Sequence, residues 1–290
     1  MLIDDKNHFF IMNLRRFIIK NEIKVTVLYC GDVELDSSSI YREENVKYPK
    51  CMFFNSRSKA HHLNLPVYCF LIEHPKGKIV FDTGWPKEVR NDPEKAIGDV
   101  YLLDRPSLLP GMAIDEQLSK YQIEAKDIDY VVLSHLHPDH AGGLQDLKQA
   151  KNFLVTQEEF DAALKNVVYC PSMWQGIHLQ TIDFKTDNDT PWNKSCDLFN
   201  DGSVKIVFLP GHTEGMVGIL IQNNGRTLFL NGDCGYSRKS WQKPILPGLV
   251  KDEEVMLKSY QWINELYQKE DCIDCISCHE TELEKMEYVL

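Results

Sequence analysis

The apolar run Tyr130-Val131-Val132-Leu133 stops at Ser134-His135-Leu136-His137-Pro138-Asp139-His140, so three imidazoles and one carboxylate crowd into six residues at a strand end. Ala141-Gly142-Gly143-Leu144 follows, where small residues let the chain turn tightly into a helix. A plain turn would be served equally well by Ala or Ser. Imidazole and carboxylate together are ligands for divalent transition ions. The expectation is a metal site that does hydrolysis, held by a sheet whose strands run into helices.

The same event recurs further along. Val204 to Leu209 leads into Pro210-Gly211-His212-Thr213, Thr227 to Leu230 into Asn231-Gly232-Asp233-Cys234-Gly235-Tyr236, and Cys272 to Cys278 into His279. Strand ends are rigid enough to hold ligands to the tolerance an ion needs. One catalytic zinc takes about three protein ligands, so five histidines and two aspartates point to two ions sharing a carboxylate. Such a pair can activate water and clamp both the attacking and the leaving oxygen. Zinc, iron, manganese and cobalt all suit these donors. His8, His61, His62, His74 and His178 lack a strand-end setting and read as surface or packing residues.

Around these corners, Val25 to Tyr29 predicts a first strand, Pro66–Ile72 with Lys78–Asp82 a hairpin, and Val217 to Ile221 a further strand. Residues 1–22 have the spacing of a short amphipathic helix, an extension ahead of a single domain over 23–290. Ile114 to Tyr121 and Glu253 to Glu270 predict helices. Thr156-Gln157-Glu158-Glu159 reads as a capping box, in which the threonine oxygen and the glutamate side chain both satisfy amides at a helix start. Trp85 to Leu109 and Cys170 to Asn200 are irregular, and long irregular stretches inside a domain are functional or mobile. Strands followed by helices in each half predict a mixed α/β sandwich.

His135-x-His137-x-Asp139-His140 with His212, Asp233 and His279 resembles the metallo-β-lactamase superfamily. Leu63-Asn64-Leu65-Pro66-Val67-Tyr68-Cys69, Asp82-Thr83-Gly84, Pro210-Gly211-His212-Thr213 and Asp233-x-x-Tyr236 are similar to the N-acyl homoserine lactonases within it. The likeness spans residues 24–285. It implies an αββα fold, two mixed sheets flanked by helices, and an enzyme that opens the lactone ring of N-acyl homoserine lactones. It further implies one ion on His135, His137 and His212, a second on Asp139, His140 and His279, and Asp233 bridging, with zinc the first expectation. A bridging hydroxide would attack the carbonyl, Tyr236 would stabilise the oxyanion, and Asp139 would pass a proton to the leaving alkoxide. Homodimers are frequent in the family. Pro138 stands where such lactonases often carry a larger apolar residue lining the acyl pocket, and the 85–109 segment has its own sequence. Both bear on acyl preference.

Composition narrows the alternatives. A formal charge of −11 works against a nucleic-acid partner and weakens a phosphodiesterase reading. No apolar run approaches the roughly 20 residues that span a bilayer, and nine cysteines without an export signal read as reduced thiols, hence a cytoplasmic protein. A glyoxalase II-like thioesterase keeps the same ligands and is the main rival. Flavodiiron enzymes carry a glutamate where His137 stands, and a metal-binding protein without catalysis leaves Tyr236 unexplained. Cys275-Ile276-Ser277-Cys278-His279 matches a haem-attachment pattern and Cys272-x-x-Cys275-x-x-Cys278 part of an iron–sulfur run. In a regular strand, residues three apart face opposite sides, so these thiols should not converge. Buried cysteines behaving as small hydrophobes is the better account; Cys234, beside Asp233, is the one thiol for which approach to an ion is the alternative.

Overall fold

The computed structural model describes residues 22–290, and the expected amino-terminal helix lies outside them. The chain builds β1 (Lys24–Asp36), β2 (His62–His74), β3 (Gly77–Phe81), β4 (Arg105–Ser107), β5 (Tyr130–Val132), β6 (Phe153–Val155) and β7 (Leu179–Thr181). Then follow β8 (Lys185–Thr186), β9 (Lys194–Asp197), β10 (Val204–Phe208), β11 (Val217–Asn223), β12 (Arg226–Leu230) and β13 (Cys272–Ile276). A last strand, β14 (Glu287–Val289), returns to pair with β1. One sheet runs β14-β1-β2-β3-β5-β6-β7, with β4 added beside β1, and the other β13-β12-β11-β10-β9-β8. Each mixes parallel and antiparallel neighbours.

Alternation along the strands divides the core into layers. Phe70 and Ile72 of β2 face the second sheet and meet Ile219 and Leu230, whereas Leu71 between them faces outward with Val80, Ile114 and Leu144. On the far side of the second sheet, Leu220 and Phe229 pack under the helix Glu253–Tyr267. That helix is three residues shorter than the sequence suggests, and Asp252 caps it by accepting the Val255 N–H at 3.0 Å. Met256, Tyr260, Ile263 and Leu266 form its buried stripe. The result is the αββα sandwich. Phe229 is fully buried and meets Trp262 edge-on at 5.1 Å. Phe229→Ala should cost about 3–5 kcal/mol, read as a lower denaturant midpoint at unchanged slope.

Several local expectations need correction. The first strand continues past Tyr29 to Asp36, because a bulge between Tyr29 and Asp32 bends it without ending it. Beyond it, Ser37–Ile40 is a short helix capped by Asp36. The helix expected to reach Tyr121 ends at Ser119. The 85–109 segment is anchored, not loose: Trp85 and Ile97 are fully buried, and β4 ties its end to β1. Residues 170–200 hold β7, β8 and β9. No helix among the described residues is long and apolar enough to cross a membrane.

Candidate metal centre

The ligand-type residues come from both sheets. His135, His137, Asp139 and His140 follow β5, while His212, Asp233 and His279 follow β10, β12 and β13. Gly142 and Gly143 make the first corner possible for a reason other than flexibility. A Cβ at Gly142 would lie 2.3 Å from Pro86 Cδ, and one at Gly143 would lie 2.3 Å from the Thr83 carbonyl oxygen.

The side chains gather in two sets. His137 Nδ1 lies 3.0 Å from His135 Nε2 and 3.2 Å from His212 Nε2. In the other set, His279 Nε2 and His140 Nε2 lie 3.3 and 3.5 Å from Asp139 Oδ2. Asp233 stands between them, with Oδ1 at 3.4 Å from both His140 and His279 and Oδ2 at 3.7 Å from His212. Burial drives the His135 imidazole well below its usual range and His137 to about 3, with neighbouring imidazoles adding to the effect. In the second set, burial also opposes charge on the rings. There the carboxylates prevail, holding His140 well above its usual value and His279 at about 10. Asp139 is pushed up by burial, yet His140 and His279 hold it well below the carboxylate range.

Outer partners fix the ring orientations. Asp82, at the end of β3, has a left-handed backbone (φ 62°), a strained conformation for a residue with a side chain. Its carboxylate accepts from Ser134 N at 2.7 Å, Ser134 Oγ at 2.8 Å and His140 Nδ1 at 2.9 Å. His279 Nδ1 donates to the Pro66 carbonyl at 2.8 Å. Both rings thereby turn Nε2 toward the carboxylates. The sequence marks Asp82 only as a strand end and as part of the Asp82-Thr83-Gly84 motif, without a partner for its carboxylate.

These residues fit divalent ions. His140 Nε2 and Asp233 Oδ1 are buried without a hydrogen-bond partner, a costly state that a cation would relieve. Three imidazole nitrogens facing one another leave lone pairs opposed unless a proton or cation lies between them. The donor atoms within each of the sets His135/His137/His212, Asp139/His140/His279 and His135/His140/Asp233 all lie within 4.8 Å of one another. Imidazole with carboxylate is a donor set for Zn, Fe, Mn or Co.

A cavity of about 370 Å³ opens over the cluster, in the size class of small-molecule sites. Its floor includes His137, Asp139, Asp233 and His279; Val33, Leu35, Val100 and Leu103 supply apolar wall, and Pro138 also lines it. The Tyr236 ring stands over the floor, stacked on His279 at 5.4 Å and edge-on to His212 at 5.8 Å. Asp104, which sequence reading passed over, is the unexpected wall residue. Burial, and then the Asp139 charge, push its carboxyl up to about 8.

The family model of the metallo-beta-lactamase superfamily matches residues 63–245. The chain belongs to the metallo-β-lactamase superfamily. It is 28% identical over 236 residues to the N-acyl homoserine lactonase AttM of Rhizobium radiobacter, covering 77% of this chain and 86% of that protein. It is also 28% identical over 228 residues to the N-acyl homoserine lactonase AiiA of Bacillus thuringiensis subsp. kurstaki, covering 77% and 84%. Among solved structures, an N-acyl homoserine lactone hydrolase with the product N-hexanoyl-L-homoserine bound at its catalytic metal centre matches with a TM-score of 0.72. That pair is 25% identical, over 89% of this chain and 94% of the other. The superfamily assignment agrees with the expectation of a metal-dependent hydrolase.

The cysteines divide. Cys234 joins the apolar cluster of Trp241 and Tyr260 beneath the helix Glu253–Tyr267 and is in none of the ligand groups among the described residues. A register slip in β13 between Cys272 and Asp274 brings the Cys272 and Cys275 sulfurs to 3.8 Å, so the regular-strand argument against their meeting fails. Cys278 lies apart from them, its thiol 3.4 Å from Asp82 Oδ2. The three thiols therefore do not share one centre.

Proposed function

We propose that this superfamily member opens the ring of N-acyl homoserine lactones or related lactones, using two divalent ions. The observation that carries the reading is Asp233. One carboxylate oxygen faces His140 and His279 while the other faces His212, the placement a bridging ligand requires. In this reading His135, His137 and His212 hold one ion, Asp139, His140 and His279 the other, and zinc is the first expectation. When bound, such a pair would supply an activated water-derived nucleophile and polarise the ester carbonyl.

The chain's own residues do the remaining work. The apolar wall excludes bulk water and accommodates an acyl chain, while Val33, Leu35 and Leu103 offer no charge to it. Tyr236 donates its hydroxyl proton as a hydrogen bond to the carbonyl oxygen as negative charge develops there. Asp139 takes a proton from the attacking water. It hands that proton to the ring oxygen as the carbon–oxygen bond breaks. Asp82 keeps His140 oriented throughout.

Support for the substrate class comes from the AttM and AiiA lactonases and from the product-bound hydrolase, each similar over most of its length. The test is a panel of N-hexanoyl homoserine lactone, a glutathione thioester and a phosphodiester, incubated with metal-loaded protein and followed by acid release or product formation. The lactone should be opened with kcat/KM of about 10⁴ M⁻¹s⁻¹ or more. An intact lactone beside a cleaved thioester would overturn the reading and favour the thioesterase.

A further inference from the structure

Glu159 is a carboxylate with no exposed surface at the start of the helix Gln157–Ala163. Its sequence setting predicts that it caps that helix. Half of the box is present: Thr156 Oγ accepts the Glu159 N–H at 3.0 Å. The carboxylate itself goes elsewhere. Oε1 accepts the N–H of Leu136 at 3.0 Å, and Oε2 accepts the N–H of Gly215 at 3.2 Å. Leu136 stands between His135 and His137, and Gly215 lies three residues beyond His212.

Thr156 adds a third tie by donating to the Gly215 carbonyl at 2.7 Å. The loop approaches so closely that a Cβ on Gly215 would lie 2.1 Å from Thr156 Oγ1 and 2.2 Å from Glu159 N. One helix start therefore grips both loops that carry His135, His137 and His212, and those loops leave different sheets. An apolar residue would fill this buried place without the cost of desolvating a carboxylate. That cost is offset only where backbone amides need a shared acceptor.

We propose that Glu159 is the positioning residue that sets the separation of the His135–His137 loop from the His212 loop, and with it the geometry of the three-imidazole ion site. The proposal rests on the metal reading above. Bonds to two loop amides tie together the loops whose ring nitrogens lie 3.0 Å apart (His135 to His137) and 3.2 Å apart (His137 to His212), and outer supports of this kind carry about 10–100-fold in metal affinity or activity.

The test uses the full chain loaded with cobalt(II), whose visible absorption reports ligand geometry. Glu159→Gln keeps the shape but replaces one acceptor with an NH2 group facing a backbone N–H. Its cobalt spectrum should differ from wild type, and its cobalt affinity by chelator competition should fall about 10-fold or more. Turnover of the lactone should fall mainly in kcat, with KM little changed. Thermal melting of the metal-free protein reports the fold separately. Thr156→Val, which removes the tie to Gly215, should shift the spectrum in the same direction and decides the matter if Glu159→Gln does not fold. A wild-type spectrum and affinity in the folded variant would overturn the positioning role. Failure of the wild-type chain to take up cobalt would instead overturn the metal reading, before any variant is compared.

Discussion

His137→Ala should lose one bound ion and its turnover together, the turnover falling by more than the roughly 10–100-fold that follows loss of an outer support. His137 Nδ1 is the shared neighbour in its set, 3.0 Å from His135 Nε2 and 3.2 Å from His212 Nε2. Without it that ion would keep two imidazoles and only the Asp233 carboxylate that it shares with its neighbour. The Asp139, His140 and His279 set is untouched in this variant, so one ion per chain should remain measurable by elemental analysis while lactone opening disappears. Normal metal content with full turnover would mean that the ligand scheme is wrong.

Tyr236→Phe should give the opposite pattern, full metal content with kcat lowered by about 10²–10³, the usual cost of removing one oxyanion donor. The phenyl ring preserves the stack on His279 and the edge contact with His212, so the cavity wall stays in place. Only the hydroxyl is lost. Elemental analysis beside steady-state kinetics separates this from damage to the centre. Unchanged turnover would remove the tyrosine from the chemistry and leave it as a packing ring.

The residues legible in the sequence were those whose meaning is local. His135 to His140 announce themselves because ligand-type side chains replace the small residues an ordinary turn would use. The layered fold was likewise readable, because apolar runs such as Val204–Leu209 and Val217–Ile221 are short, β-branched and bounded by turns. What escaped depends on partners distant in the chain. Asp82 looks like a turn residue until Ser134 and His140 arrive from more than fifty residues away. Glu159 matches a local capping pattern in the sequence, which hides the bond its carboxylate makes to Gly215 instead. In β13 a single register slip reversed an argument based on alternation, since period-two reasoning holds only while the ladder is regular. Asp104 lies within a stretch with no period to read, and its place in the cavity wall emerges only from the packing of the 85–109 segment.

The division of the centre between two sheets has a thermodynamic consequence. Neither half of the chain owns a complete set of donors; the His279 imidazole alone leans on a carbonyl 213 positions earlier. Ions bound across that seam would favour the docked arrangement over the undocked one by their full differential affinity. The stability of the sandwich and the occupancy of its centre are then a single linked equilibrium. Each change that loosens the seam, however remote from the cavity, is also a change in how tightly the ions are held.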